Sequence, residues 1–157
     1  MEAAPPLIKY ATWQEYQEFY KREFCQRRIL THDGIPVYFS EGRFWHAFCT
    51  RDSVGKKDKF SFERAQYMGW ICPTLQNPSA LSLKGWDSVT KKIESHRRVS
   101  FVFGDFVVVV EMSLKMDGTL KAKFITAYYA DRSINKIKQS PEWSLQECVE
   151  YLRNIGR

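Results

Sequence analysis

The chain is poor in the groups that build metal centres and cofactor sites. Its four cysteines, Cys25, Cys49, Cys72 and Cys148, stand far apart among apolar and aromatic neighbours, with no Cys-x-x-Cys pair. That spacing argues against a zinc cage or a disulfide framework, and for small buried residues in a reducing, cytoplasmic protein. Asp and Glu are scattered, without the clustering that a two-metal nuclease needs. There is no P-loop, no dinucleotide glycine pattern, no His-Glu-x-x-His and no Gly-x-Ser-x-Gly. The longest apolar run, Phe106–Val110, is too short to cross a bilayer. Residues 1–6 carry an acid and two prolines where a signal peptide needs positive charge and then an apolar run. The expectation is a soluble cytoplasmic protein with no cofactor, no metal and no membrane partner.

What is present is a core and an excess of positive charge. In 157 residues, an apolar fraction of 44% and an aromatic fraction of 15% suffice for one globular domain. The net charge of +6 raises the local concentration of polyanions, which makes nucleic acid the leading partner class. No internal repeat or low-complexity tract divides the chain, so residues 1–157 read as one domain with residues 1–11 as a flexible tail.

Thr12-Trp13-Gln14-Glu15 is a capping box, and Trp13, Tyr16, Tyr20 and Phe24 recur at helical spacing, predicting a helix to about Leu30. Its other face carries Lys21, Arg22, Arg27 and Arg28. After a turn at Thr31–Gly34, residues 35–40 and 43–50 read as two strands joined at Glu41-Gly42. Residues 51–59 read as an exposed lysine-rich loop. Ser61 caps a predicted helix with apolar face Phe62, Ala65 and Met68 or Gly69, ended by Pro73. Residues 74–86 read as a long surface connection, and 87–96 as a short helix or irregular segment. Val99–Phe103 and Phe106–Met112 form a hairpin broken at Gly104-Asp105, and Thr119–Tyr129 is a further strand. Ser144-Leu145-Gln146-Glu147 caps a closing helix with the stripe Leu145, Cys148, Val149 and Leu152. The fold class is α+β: an antiparallel sheet with N-terminal, middle and C-terminal helices packed on it.

Within this pattern, His46 lies in Trp45-His46-Ala47-Phe48, and Phe60-(x)3-Arg64-Ala65-(x)4-Trp70-Ile71 follows. A valine-rich strand then precedes Phe124-Ile125-Thr126-Ala127-Tyr128. This order, over about Phe39 to Tyr129, resembles the phage-associated branch of the barnase, EndoU, colicin and RelE-like nuclease fold. The resemblance implies an active site on the open face of the sheet and metal-independent RNA cleavage. It sets His46 against the family's histidine and Arg64 against its helix arginine. Thr126 and Tyr128 match the polar positions of its last strand.

The residue types suit that chemistry. Cleavage without a metal uses the RNA's own 2′-hydroxyl. The protein must take that proton, neutralise the phosphorane and see the 5′-oxygen protonated. Histidine titrates in the right range, guanidinium offers a planar fork to phosphate, and Thr and Tyr supply hydroxyls. Alternation along a strand puts Thr126 and Tyr128 on one face, with Lys121 and Lys123, of opposite parity, expected on a different surface. Each candidate also has a structural role open to it. His46 can be a core histidine, Arg64 a helix salt bridge with Asp58 or Glu63, Thr126 a strand former, and Tyr128 core packing. Lys59, Tyr67, Trp70, His96 and Arg97 are the candidates for further RNA contacts, the aromatic ones by base stacking. His96 is also a reserve proton carrier. The expectation is a toxin-like endoribonuclease whose partners are RNA and a small acidic inhibitor or antitoxin. The alternative is an inactive nucleic-acid-binding or protein-interaction module on the same fold.

Overall fold

The computed structural model describes residues 4–50, 59–87, 92–93 and 97–155. Most of the expected 51–59 loop and most of 87–96, including His96, lie outside the described residues. The framework is a six-stranded sheet. In chain order its strands are β1 (Ile29–Leu30), β2 (Pro36–Tyr38), β5 (Leu81–Lys84), β8 (Arg98–Phe103), β9 (Phe106–Leu114) and β10 (Leu120–Tyr129). Two-residue ladders pair β3 (Cys49–Thr50) with β4 (Lys59–Phe60), and β6 (Trp86–Asp87) with β7 (Lys92–Ile93).

Spatial order in the sheet is β1-β2-β10-β9-β8-β5, antiparallel throughout except for the parallel pair β2–β10. The α+β class read from the sequence is the observed one, and β9 is the central strand that its apolar run predicts. Gly104 supplies the positive φ, 61°, that the tight β8–β9 connection demands.

One face of the sheet is apolar. Val99, Phe101, Val108, Val110, Phe124 and Ala127 point from it into the main core, where they meet Tyr16, Tyr20, Phe44, Phe48 and Ile71. Helix α1 (Trp13–Tyr20) begins as its sequence predicts, with Thr12 and Glu15 closing a reciprocal capping box. It does not run to Leu30. Lys21–Cys25 form a π-helical turn, and the chain then enters β1. Four-residue spacing drifts by about 40° per step on an α-helix, and the wider π turn corrects that drift. Phe24 thereby stays beside Tyr20 and Phe39, at 5.8 and 5.0 Å between ring centroids.

The expected strand over residues 43–50 is instead a helix, α2 (Arg43–Phe48), followed by β3. Phe44, Ala47 and Phe48 stand at i, i+3 and i+4, and all three are buried. Over six residues a period of two and a period of 3.6 fit nearly equally well, and packing of these three against Tyr20 and Phe124 decides.

The middle helix is also segmented: α3 (Phe62–Ala65), a 3₁₀ turn at Met68–Trp70, and α4 (Ile71–Gln76). Ser61 caps α3 by accepting from the Arg64 amide. Phe62 is exposed, so the inward stripe is carried by Ala65 and Met68. Pro73 does not end the helix. It sits in the first turn of α4, where an amide has no helical partner to lose.

Residues 5–10 are not a free tail. Ile8 donates its amide to the Gln66 carbonyl, Trp70 donates Nε1–H to Pro5, and the Tyr16 hydroxyl donates to the Ile8 carbonyl. The segment 74–86, expected as a loop, contains β5, which pairs with β8 from Leu81↔Val102 to Lys84↔Val99. Its alternation is weak because it is an edge strand. Residues 141–143 cover that edge, with Lys84 donating to Pro141 and Trp143 to Ser82. Helix α5 (Ile134–Lys138) lies over the opposite face of the sheet. Its Ile134 and Ile137 pack there in a small second core with Val102, Val107 and Ile125. Helix α6 (Leu145–Ile155) closes the main core with Cys148 and Leu152, and Ser144 accepts from the Glu147 amide.

Candidate functional site

β10 changes phase halfway along. Its pairing with β9 runs regularly to Phe124↔Val110 and resumes at Thr126↔Val109, so Ile125 is a bulge. Phe124 and Ala127 both face the main core, while Ile125 and Thr126 both face away from it. Beyond Lys123 the outer edge of β10 no longer pairs with β2. Helix α2 takes that place, and Arg43 Nε donates to the Ile125 carbonyl at 2.8 Å. The helix that the sequence disguised as a strand therefore pins the bulge.

The result is a cavity of about 280 Å³ on the open face of the sheet. Its floor is Ser100, Val109, Ile125, Thr126 and Tyr128. Arg43 and His46, one turn apart on α2, form one wall with Arg64 of α3. Lys84 and Arg98 approach from β5 and β8, and Ile137 and Ser140 close the α5 side. No carboxylate lines the cavity among the described residues.

His46, Arg64, Thr126 and Tyr128, separated by up to 82 positions in the chain, share this one cavity. His46 is exposed at its rim on a helix, not buried on a strand. Arg64 has its guanidinium 5.7 Å from the centre of the Tyr128 ring and donates to the Cys49 carbonyl at 3.4 Å. Neither Arg43 nor Arg64 has an ion-pair partner among the described residues. Burial lowers the pKa of both guanidiniums, and at Arg43 the nearby charge of Arg98 lowers it further. Burial raises the Tyr128 pKa against the opposing pull of Arg64, so the hydroxyl keeps its proton well into alkali. Thr126 Oγ1 is buried and has no hydrogen-bond partner among the described residues. A buried hydroxyl left open beside unpaired cations is the lining that an anionic oxygen would complete.

The other nominated residues that the structure describes lie outside the cavity lining. Lys59 is exposed on β4, outside the cavity lining. Tyr67 and Trp70 are half-buried and pack on each other and on Phe106 and Tyr129. With Trp70 Nε1 committed to Pro5, that cluster is part of the packing and not a stacking platform in the cavity. Arg97 is paired with Glu111, which also holds Arg98 at 3.0 Å.

Five polar lining residues were missed: Arg43, Lys84, Arg98, Ser100 and Ser140. Arg98 and Ser100 were legible, because Val99 and Phe101 point into the core and their neighbours must point out. Arg43 follows from His46 once 43–48 is read as a helix. Lys84 had no local signal.

Among the described residues no three His, Cys, Asp or Glu side chains gather as a metal-ligating group, and no helix is long and apolar enough to cross a membrane. Comparison with protein-family models, curated proteins and solved structures returns no match for this chain.

Proposed function

We propose that this protein is an endoribonuclease that cleaves RNA through attack of the 2′-hydroxyl, without a metal, leaving 2′,3′-cyclic phosphate and 5′-hydroxyl ends. The observation that carries this reading is the convergence of His46, Arg64, Thr126 and Tyr128 on one cationic cavity. In the reaction the imidazole of His46 takes the 2′-hydroxyl proton. The new P–O2′ bond forms as P–O5′ breaks, and a proton from water completes the 5′-hydroxyl. Arg64 gives its fork to the non-bridging oxygens, whose charge grows in the phosphorane, in a half-buried setting where that charge is weakly screened. Thr126 and Tyr128 donate hydroxyl hydrogen bonds to the same oxygens or hold the 2′-hydroxyl. Such an enzyme endangers the cell that makes it, so a small acidic inhibitor or antitoxin covering the cavity belongs to the same reading.

The test is incubation of wild type and His46→Ala with total RNA in excess EDTA, followed by end-group analysis. Wild type leaves cyclic phosphate ends, and His46→Ala cleaves about 10²- to 10⁴-fold more slowly. Intact RNA with both folded proteins, together with binding that weakens steeply with salt, would replace this reading with a nucleic-acid-binding module.

A further inference from the structure

The cavity holds more cations than one phosphate can use, and they fall into two groups. Arg64 stands with Tyr128, its guanidinium 5.7 Å from the centre of that ring. Arg43 stands with Arg98, whose charge is the strongest acting on it. Lys84 joins this second group through the β5–β8 pairing, where Lys84 is opposite Val99 and the next amide, Gly85, donates to the Arg98 carbonyl at 2.8 Å. The approach is close enough to require glycine. A Cβ on Gly85 would come within 2.7 Å of Arg98 Cγ and 3.3 Å of Ser100 Oγ.

Like charges held side by side and half-buried repel, and a fold tolerates that where a counter-charge visits. Glu111 offsets Arg98 but is shared with Arg97, so these two guanidiniums face one carboxylate. Lys84 has Glu147 only at 4.0 Å, on an exposed side chain, and Arg43 forms no ion pair among the described residues, with Glu111 acting on it only from beyond ion-pair distance. The second group is therefore undercompensated independently of Arg64.

We propose that the cavity binds two phosphates of one nucleic-acid strand: the scissile one against Arg64, Thr126 and Tyr128, and its neighbour against Arg43, Lys84 and Arg98. The proposal rests on the nuclease reading for the identity of the first site, and it defines the substrate as a strand presenting consecutive phosphates to the cavity. A terminal nucleotide lacking the second phosphate is a poor ligand.

Calorimetric titration with adenosine 3′,5′-bisphosphate, 3′-AMP and 5′-AMP tests it directly. Wild type binds the bisphosphate about tenfold or more tighter than either monophosphate, as expected for a second charge pair. Arg43→Gln removes that advantage. Because Arg43 also holds the bulge, Lys84→Met carries the test separately and reduces the advantage without touching Ile125. Equal affinity for all three ligands, or an advantage that survives both variants, overturns the two-phosphate site. The bisphosphate advantage combined with uncleaved RNA sustains the site and overturns the nuclease reading alone. RNA cleavage without any advantage does the reverse.

Discussion

The two faces of β8, β9 and β10 are built from the same strands and obey different rules. On the helix side, Val99, Phe101, Val108, Val110 and Phe124 are all but inaccessible to solvent and have apolar neighbours in every direction. On the other side, Arg98, Ser100, Thr126 and Tyr128 sit around a cavity with the guanidiniums of Arg43 and Arg64, which lack acid partners among the described residues. The first face lowers the free energy of the fold, because burial of each large apolar side chain contributes about 1.5–3 kcal/mol. The cavity on the second raises it, because desolvated charge and an unpaired hydroxyl are costs. Strain confined to one face of a stable sheet marks the place where a ligand is expected.

The comparison breaks hardest at Phe124. Phe124→Ala removes a ring stacked on Phe39 at 4.7 Å and should cost about 3–5 kcal/mol in urea unfolding. Arg64→Gln, across the sheet, should leave the midpoint within about 0.5 kcal/mol of wild type while cleavage collapses. A loss at Arg64 as large as that at Phe124 would mean that the open face is structural.

A finer cut is Arg64→Lys. The charge stays but the planar fork goes, and a drop of about tenfold in kcat with little change in folding is expected from steady-state kinetics.

The smallest effect belongs to the helix side. Burial lifts the Cys148 thiol from the ordinary 9.0 to about 11. A folded pKa raised above the unfolded one stabilises the protein fully below about pH 9 and loses that contribution as pH climbs through 11. Thermal melts from pH 8 to 11 should therefore fall less in Cys148→Ala than in wild type, once each is referred to its own value at pH 8.

The two faces were not equally legible. The helix-side face announces itself in the sequence, since burial imposes a period of two on Val99, Phe101, Val108 and Val110 and a helical period on Tyr16, Tyr20 and Phe24. The open face carries no such periodicity. Thr126 and Tyr128 could be placed together by alternation, and His46 and Arg64 were reached by residue type and resemblance. Arg43 and Lys84 depended on elements that local pattern misassigned: a six-residue helix whose apolar spacing also suits a strand, and an edge strand whose pairing is set by distant residues. Tyr67 and Trp70 show the converse difficulty. Aromatic rings beside basic residues look like base-stacking platforms, yet these pack on Phe106 and on an N-terminal segment whose course no local rule predicts.

A strand is a binary code in which odd and even positions name opposite sides, and Ile125 is a one-residue insertion in that code. Lys121 and Lys123, assigned by parity to another surface than Thr126 and Tyr128, lie on the same one. Lys121 stands opposite Ser113 and Lys123 opposite Glu111, while Leu120, Ala122 and Phe124 are buried behind them. At about 3.3 Å per residue the file from Lys121 to Tyr128 is roughly 20 Å long. A polyanion laid along β10 meets two ammonium groups before it reaches the cavity, and a regular ladder that took Ile125 into its pairing would turn Thr126 and Tyr128 to face the core.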